Sequence, residues 1–537
     1  MTTKAAPAAL TPEAVEGLRV VRRFQLAILL GLLLLVGAVG PRALNYASRK
    51  PADHDSAVFS AVAWHLLQGR ALYRDVWDHK PPAIYALDAT ALALGDGTIN
   101  AIRTMERLFA AAGGVLVLLI VWRVFRSLWL APGLALLYLL LFYWPDAFEG
   151  GNLTEEYGAV FLLGGILGCE LTVGSSGARA AAAALAGGLA LGLAVLCKEP
   201  FLLSAAPWAV YAAVPRGGRW RAALLRGGWL AAGAALPWAA ATIWLAACGA
   251  LPAWLDVFAY NLRYAAAGGE GIALLPARLA EALSWAFRFF LGCSVIGLIA
   301  CGLGLLSLVW VALVRKHGAF PVAAAACLVT SLLATAISGR SYGHYYLQLI
   351  PAFVLTAACG AAAAWEALRR CRPTVVALAI AGALVTFLAC DLSPWGEFGR
   401  RLGKPARRYA PEDAVSIWVF QRTGSDDRIW APHGRWARLY LDLGRLSAAR
   451  YLYTPRFLDT PAGTGLEKMR ALRADLEANR PRIIVTNNPE EFATYQPVGL
   501  RRWVESNYRE VPLAGCVLYE RREPSVIEVR PSREPRP

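Results

Sequence analysis

The chain has 537 residues, of which 57% are hydrophobic and only 17% are charged. Soluble domains are about half apolar and about a quarter charged, so this composition predicts a polytopic membrane protein with a smaller soluble part. The net charge of +16 lies mostly in short Lys/Arg clusters between apolar runs, which is typical of membrane topology and argues against a nucleic-acid partner. The 10 cysteines include no CxxC pair, which argues against a zinc site or a disulfide framework.

About eleven apolar stretches are long enough to cross a bilayer, which needs roughly 20 residues per helix. They lie at 24–42, 107–122, 128–144, 157–174, 181–197, 200–214, 228–250, 287–314, 319–337, 345–366 and 374–391. The first lacks a cleavage site and is expected to be an anchor rather than a signal peptide. Basic residues fill alternate short loops, which predicts a multi-pass protein of the cell (inner or plasma) membrane with a cytoplasmic N-terminus.

This orientation places three polar regions on the extracytoplasmic side. The first is loop 43–106. The second is 251–286, in which LPARLAEALSWAFRFF has the pattern of an amphipathic helix at the membrane interface. The third is everything after residue 391.

The C-terminal region predicts a small extracytoplasmic α/β domain over 392–523. RIIVTNN (482–488) and GCVLYERR (515–522) have strand character, and the intervening 465–480 has helical charge pairing. Residues 1–391 would then form the membrane module, and 524–537, rich in Pro, Arg and Glu, a disordered tail.

Ionisable residues are costly in a membrane protein and mark functional sites. On the predicted outer side they are Asp53, His54, Asp55, Asp75, Asp78, His79, Lys80, Glu155, Glu156, Lys198, Glu199, Arg340 and His344. The inner side offers only basic residues of the kind that set topology. This one-sided distribution predicts an active site open to the outside rather than a channel.

The first outer loop contains two parts of interest. Val58, Val62 and Leu66 share one face of a predicted helix that would lie on the membrane, and Asp55 opens it, so the simplest role of Asp55 is an N-cap. The second part is YRDVWDHKPPAIY (73–85). Here two prolines follow Lys80, fix the backbone and hold the lysine side chain in one direction. The aromatic residues of this part are expected to anchor it at the interface.

The order of these motifs resembles that of the polytopic glycosyltransferases that take sugars from polyprenyl phosphates. These are GT-C fold enzymes, which include protein O-mannosyltransferases and the lipid A aminoarabinose transferase. The resemblance rests on G-x-x-L-Y-x-D, W-D-H-K-P-P-x-x-Y, GNLTEEYGAVFLL (151–163), LAVLCKEPFLL (193–203) and SGRSYGHYYLQLIP (338–351). It implies an α-helical GT-C membrane protein that moves a sugar from a polyprenyl-phosphate donor to an acceptor hydroxyl, with no cofactor and no essential divalent cation.

The sequence departs from that pattern in the first loop. Many relatives carry Asp-Glu where this chain has Asp55-Ser56, with Asp53 two residues earlier. Alignment through the helix and Gly69 places Asp55 on the first acid of the pair. Asp53 remains the alternative.

Such a transfer needs a carboxylate to deprotonate the acceptor, positive charge or hydrogen-bond donors for the leaving phosphate, and an apolar groove for the prenyl chain. Asp55 is the candidate catalytic base, as the resemblance also implies. The candidates for binding the donor phosphate are Lys80, Arg340, His344 and Lys198. The candidates for binding the acceptor or the sugar are Asp53, Asp75, Asp78, His79, Glu155 and Glu156.

Several candidates also have plainer structural interpretations. Asp78 and Lys80 would form an ion pair that fixes the loop, and His79 would hydrogen-bond the backbone. Glu155 and Glu156 would cap the span that follows them, since acids suit the positive end of a helix dipole.

Lys198 and Arg340 would snorkel to the interface. A metal site built from Asp53, His54, Asp55 and His79 is compatible with their ligand chemistry but is not expected. Two other functions stay open: a transporter or flippase of lipid-linked sugars, and a non-catalytic membrane scaffold. The sugar is undefined by the sequence, and the acceptor is a lipid, a glycan or a protein.

Overall fold

The computed structural model describes residues 54–390 and 414–522, apart from 128, 217, 268–274, 315–318, 338–341, 387–388, 454–463, 489, 491, 493–496 and 514. The protein is mostly helical, with a small sheet near the C-terminus. The predicted first span, the disordered tail, Asp53 and Arg340 lie outside the described residues.

The helices before residue 300 begin in the outer loop and continue through the membrane module. They are α1 His54–Leu67, α2 Ala83–Leu94, α3 Ile99–Phe125, α4 Leu130–Phe142, α5 Pro145–Phe148, α6 Thr154–Val173, α7 Gly177–Cys197, α8 Phe201–Ala213, α9 Trp220–Ala247, α10 Leu251–Ala267, α11 Leu275–Cys293 and α12 Val295–Val314. The rest of the membrane module comprises α13 Phe320–Ile337, a 3-10 helix Gly343–Leu349, α14 Ile350–Leu368 and α15 Pro373–Thr386.

Six helical segments of the described chain are long and apolar enough to cross a membrane. They are Ile99–Phe125, Thr154–Val173, Gly177–Cys197, Trp220–Ala247, Phe320–Ile337 and Gly343–Leu368. Shorter apolar helices occupy other predicted spans, including α4, α8 and α15. Small residues allow close packing between them: a Cβ on Gly168 of α6 would lie 2.3 Å from Gly187 of α7.

The predicted span 287–314 is wrong at its start. The amphipathic helix α11 continues to Cys293, and a new helix, α12, begins at Val295. Between them Ser294 accepts a hydrogen bond from the backbone N–H of Gly297 at 3.0 Å. This is the contact of a serine N-cap, which starts a helix inside a continuous apolar run where hydropathy carries no signal.

The C-terminal region contains helices α16 Ala414–Arg422, α17 Arg438–Leu443, α18 Thr464–Asn479 and α19 Leu500–Asn507, with strands β1 Ile429–Trp430, β2 Ile483–Thr486, β3 Tyr508–Leu513 and β4 Cys516–Arg521. The strand order is β1-β2-β4-β3, in which β1 pairs parallel with β2 and the other pairs are antiparallel. The predicted strands and central helix are confirmed. The short β1 and the edge strand β3 were not predicted.

Helix α1 is confirmed, but it does not lie free on a membrane surface. Residues Ser56 to Ala63 are all buried, so this part of the helix has no open apolar face. It packs between α2 and the C-terminal segments Gly434–Ala437 and Arg438–Leu443. Gly434 permits the approach, because a Cβ there would lie 2.4 Å from the ring of His54.

Hydrogen bonds join the first loop to the C-terminal domain. The backbone N–H of Trp77 donates to the carbonyl of Arg450 at 2.8 Å, and the N–H of Ser447 donates to Nε2 of His65 at 2.9 Å. The hydroxyl of Tyr453 donates to Asp78 at 2.8 Å. The domain therefore forms part of the structure around the first loop.

His65 makes this junction sensitive to pH. Its Nδ1 donates to the carbonyl of Ala61 at 2.7 Å while Nε2 accepts from Ser447, which fixes the neutral tautomer. Burial lowers the pKa of His65 to about 4. Between about pH 6.5 and about pH 4, His65 is protonated in the unfolded chain but neutral in the folded protein. Acidification through this range is therefore expected to lower the free energy of unfolding by up to about 3 kcal/mol.

Thermal melting in detergent at about pH 7 and about pH 4.5 measures this effect. The matched variant is His65→Gln, whose amide oxygen still accepts from Ser447 but does not titrate. A pH dependence equally steep in that variant would show that other groups cause it.

Candidate active site

A tight turn holds the lysine of the WDHKPP motif. Tyr73 has a positive φ of 66°, and its N–H donates to the carbonyl of Val76 at 2.7 Å. The Tyr73 hydroxyl donates to the carbonyl of Lys80 at 2.8 Å. Since α2 begins at Ala83, directly after the two prolines, the backbone of Lys80 is fixed from both sides.

Asp78 is buried and fully hydrogen-bonded. One oxygen accepts from the hydroxyl of Tyr85 at 2.5 Å, and the other from Tyr453 at 2.8 Å and from Nδ1 of His79 at 3.1 Å. Burial opposes its ionised form, but the contacts with His79 and Tyr85 lower its pKa to about 2. Asp78 is therefore bonded to His79, Tyr85 and Tyr453, and the alternative of an Asp78–Lys80 ion pair does not describe it. His79 contacts a side chain, so the alternative that it bonds only the backbone does not hold either.

The aromatic residues of the motif face the protein interior instead of a membrane interface. Trp77 and Tyr85 are 3% and 0% exposed. The Trp77 ring lies against Tyr260 of α10 and Tyr451 of the C-terminal domain. The expectation that they anchor the loop at the interface is therefore wrong, because tertiary contacts with distant segments enclose them.

Asp75 stabilises the start of the same turn. It accepts two hydrogen bonds of 2.8 Å from Arg74 and one of 3.0 Å from the N–H of Ala71. Arg74 also donates to the carbonyl of Cys248. The hydrogen bond with Arg74 lowers the pKa of Asp75, so this carboxylate is engaged in loop structure.

Lys80 is the cation that this turn presents. Burial alone would lower the pKa of its ammonium, but nearby Tyr345, Asp55 and Glu155 raise that pKa above the usual value. Within the described part of the chain, its ammonium makes no hydrogen bond or ion pair. Lys80 is thus a protonated lysine, close to negative charge, whose donors are available to a ligand.

Asp55 lies in the first turn of α1, beyond the N-cap position. Its side chain is 37% exposed, and its oxygen lies 3.3 Å from Nδ1 of His54. Burial opposes ionisation, but the hydrogen bond with His54 and the charges of Lys80 and His344 hold the pKa of this carboxyl below its ordinary value. Asp55 is accordingly ionised at neutral pH.

Glu155 and Lys198 form a buried ion pair at the membrane end of the site. The Lys198 ammonium contacts one oxygen of Glu155 and lies 3.5 Å from the centre of the Tyr345 ring. The other Glu155 oxygen accepts from the hydroxyl of Thr154 at 2.7 Å. The two side chains are 2% and 10% exposed, so Lys198 does not snorkel and Glu155 is more than a helix cap.

His344 extends this cluster and binds an acid that the sequence analysis missed. Its Nδ1 lies 2.7 Å from Glu149, which also accepts from the His344 backbone N–H at 3.2 Å. Nε2 lies 3.8 Å from Glu155. Glu149 has a positive φ of 44° and precedes two glycines. It lies in the acidic loop 145–156, and this run of acids was the sequence signal that could have identified it.

Glu156 lies near the buried side chains of Arg103 and Glu106, whereas its neighbour Glu155 contacts Lys198. It caps α6, because its side chain accepts from the N–H of Leu153 at 3.2 Å. Beside it, Arg103 donates to Glu106 at 2.8 Å, and Asn152 donates to Asp88 at 2.8 Å. The capping interpretation therefore holds for Glu156.

No set of three or more His, Cys, Asp or Glu side chains in the described ranges is arranged to hold a metal ion. Of the residues proposed for such a site, His79 bonds Asp78 and His54 bonds Asp55.

Loss of the Lys198 charge is expected to destabilise the protein. Lys198→Met would leave the buried Glu155 carboxylate without its main partner, and breaking a buried pair in this way costs about 3–5 kcal/mol. The melting temperature in detergent measures the loss. Adding Glu155→Gln to the same chain should restore part of the stability, and a double variant no more stable than the single one would contradict the pairing.

An apolar cavity of about 740 Å³ lies among α7, α8 and α9. Leu202, Leu230, Trp238 and Phe258 contribute to its lining, and Glu199 stands at one end. Asn261 bridges that end to the WDHKPP motif by donating to Glu199 at 2.9 Å and to the carbonyl of His79 at 2.8 Å. The cavity offers apolar volume next to the charged site.

No protein-family model and no curated protein matches the chain by sequence. Solved structures do share its fold. ArnT from Cupriavidus metallidurans bound to undecaprenyl phosphate aligns with a TM-score of 0.58 at 14% identity, over 91% of this chain and 98% of that one. The apo state of the same protein aligns with a TM-score of 0.55 at 13% identity, over 91% and 97%. The expectation of a GT-C fold is confirmed, and the chain is a multi-pass membrane protein of that fold.

Proposed function

We propose that the protein is a membrane glycosyltransferase that transfers a sugar from a polyprenyl-phosphate donor to an acceptor hydroxyl on the extracytoplasmic side. The observation that carries the proposal is the presence of two unlike groups in one region: the ammonium of Lys80, which makes no ion pair among the described residues, and the ionised carboxylate of Asp55. Each of the two groups influences the pKa of the other, which supports a common site. The fold shared with a protein solved with undecaprenyl phosphate supports the choice of donor.

In the proposed reaction the acceptor oxygen forms a bond to the anomeric carbon, and the bond from that carbon to the phosphate oxygen breaks. Asp55 takes the acceptor proton, and Lys80 stabilises the negative charge that grows on the departing polyprenyl phosphate. The apolar cavity by Glu199 accommodates part of the prenyl chain. Its position supports this role because Asn261 connects it to the motif that holds Lys80.

The remaining candidates divide by their contacts. We assign His344 to the donor phosphate together with Lys80, since its Nε2 lies 3.8 Å from Glu155, whose charge also acts on Lys80. Glu155 and Lys198 hold the Tyr345 and His344 side of the site in place. Asp78 positions the motif through its hydrogen bonds, and Asp75 secures the turn before it. Arg340 and Asp53 keep the roles expected from the sequence.

Purified full-length protein in detergent tests the proposal. Polyprenyl phosphates carrying radiolabelled hexoses or pentoses are offered with lipid, glycan and protein acceptors, and labelled product is counted. Transfer to one acceptor class supports the enzyme and identifies its partner. Absence of transfer from every donor, with the donor still bound, would favour a transporter or a scaffold.

A further inference from the structure

A second cavity, which is lined by charged residues, lies at the end of the membrane module opposite the candidate active site. Helix α6 begins at the site with Thr154 and ends at this cavity with Val173, and α7 returns from Gly177 to Cys197. At 1.5 Å per residue, helices of this length span about 30 Å, which matches the hydrocarbon core of a bilayer. In the predicted topology, the end of the module that holds this cavity lies in the cytoplasmic leaflet of the membrane.

Three arginines converge on this cavity, whose volume is about 480 Å³. Arg216 and Arg219 come from the loop between α8 and α9, and Arg226 from the second turn of α9. The volume falls in the range of small-ligand pockets. Arg221 belongs to the same basic cluster but does not line the cavity, so the convergence is more specific than a basic loop requires.

Two of these guanidinium groups contain buried nitrogens without a hydrogen-bond acceptor. Arg216 donates to the carbonyl of Tyr211 through Nη2, and Arg226 to that of Val214, each at 3.2 Å. Nη1 of Arg216 and Nε of Arg226 are buried and unbonded among the described residues. The nearby Glu170 is engaged by Tyr211 and Arg123. A buried donor without an acceptor is costly, so the pair is incomplete without an anion.

Helix α7 adds further donors at the same place. Its first residues, Gly177 and Ala178, line the cavity, and the N-cap residue Ser176 makes no side-chain capping hydrogen bond. The first N–H groups of a helix have no partner within the helix and form a favourable site for an anion. The anion suggested by the arginines would therefore also complete the start of α7.

One side of the cavity is apolar and continues onto the outer surface of the module. Leu225 and Trp229 line it and are 65% and 46% exposed. In a membrane these side chains would meet acyl chains, while Arg216 and Arg226 are partly buried. Basic pockets between spans on the cytoplasmic side are a recognised arrangement for binding anionic lipid headgroups.

From this arrangement we infer that the cavity formed by Arg216, Arg219 and Arg226 binds the phosphate of an anionic phospholipid of the adjacent leaflet. The guanidinium groups and the start of α7 contact the phosphate oxygens, and the acyl chains lie along Leu225 and Trp229. The site is separate from Asp55 and Lys80, and the inference does not depend on the proposed transferase activity.

Native mass spectrometry of the full chain in detergent, titrated with phosphatidylglycerol, tests the site. Each arginine that lines the cavity is expected to contribute about five-fold in affinity, so Arg216→Gln/Arg226→Gln should bind about 25-fold more weakly. Arg221→Gln removes one positive charge from α9, the helix that carries Arg226, but at a position outside the cavity. This variant should bind like the wild type. Equal binding by the double variant, or an equal loss in Arg221→Gln, would overturn the inference.

Two further experiments test whether the loss of binding comes from lost charge or from misfolding, and whether the ligand is a lipid or free phosphate. Arg216→Lys/Arg226→Lys keeps both charges and should retain most of the affinity, and unchanged melting temperatures without lipid exclude misfolding. Zwitterionic phosphatidylcholine should bind more weakly than phosphatidylglycerol, because its amine offsets the phosphate charge. Displacement of phosphatidylglycerol by inorganic phosphate would overturn the lipid assignment, and its failure to displace supports it. Asp55→Asn should bind phosphatidylglycerol like the wild type.

Discussion

Replacing Asp55 by asparagine is expected to lower the rate of sugar transfer by about 10³-fold while the protein stays folded. Asparagine has nearly the same shape and can accept a hydrogen bond, but it cannot take the acceptor proton. Among the described residues Asp55 contacts the side chain of the adjacent His54, at 3.3 Å, and the Asp55 side chain is 37% exposed, so little stability depends on its charge. Transfer of radiolabel by wild type and variant at saturating donor and acceptor measures the effect.

Asp426→Asn is the matched control, because Asp426 is an exposed acid of the C-terminal domain whose side chain makes a 3.4 Å contact with Ser425. It should transfer sugar at the wild-type rate. Transfer by Asp55→Asn within a few-fold of the wild type would remove Asp55 as the base and turn attention to Asp53, the alternative that the sequence left open.

The low pKa of Asp55 also predicts a difference between two pH profiles. In the free protein the charges of Lys80 and His344 help keep the pKa of Asp55 below its ordinary value. A donor phosphate that pairs with Lys80 would offset part of that influence and raise the pKa of Asp55, which makes it a stronger base when the donor is bound. The acidic limb of kcat should therefore lie at higher pH than that of kcat/KM.

The residue types of the candidate site could be proposed from the sequence because ionisable groups are rare and costly in such an apolar chain. The motifs pointed to Asp55, Lys80, Glu155 and His344 as members of one site, and in the structure Asp55 and Glu155 both raise the pKa of Lys80. Local patterns sufficed for α1 and for strands β2 and β4 of the C-terminal domain. These features depend on residues close together in the sequence.

The partners of these residues were not predictable, because they come from distant parts of the chain. Asp78 and Tyr453 are 375 residues apart, and His344 and Glu149 are 195 apart. Nothing local distinguishes an acid that binds a buried tyrosine from one that binds a substrate. The sequence therefore placed Asp78 among ligand-binding candidates, whereas the structure shows both of its oxygens bonded to the protein.

Removing the charge of Lys80 is expected to lower kcat/KM for the donor by about 10²–10³-fold, the range measured when one donor to developing negative charge is deleted. Lys80→Met keeps the length and apolar stem of the side chain but offers no proton to the phosphate. Lys80→Arg keeps the charge and should retain part of the activity, although a planar guanidinium fits the position of a compact ammonium imperfectly. Initial rates over a range of donor concentrations measure both variants.

The comparison between Lys80 and Lys198 separates a ligand-binding cation from a structural one. Both lysines lie near Glu155, but only Lys198 pairs with it, whereas Lys80 makes no ion pair among the described residues. Lys80→Met should therefore lose transfer with a small change in melting temperature, and Lys198→Met should lose melting temperature by far the larger amount. Because the methionine variants have identical side chains, the contrast depends on environment alone. If Lys80→Met kept wild-type donor kinetics while Lys198→Met bound donor poorly at full stability, the phosphate site would belong to Lys198.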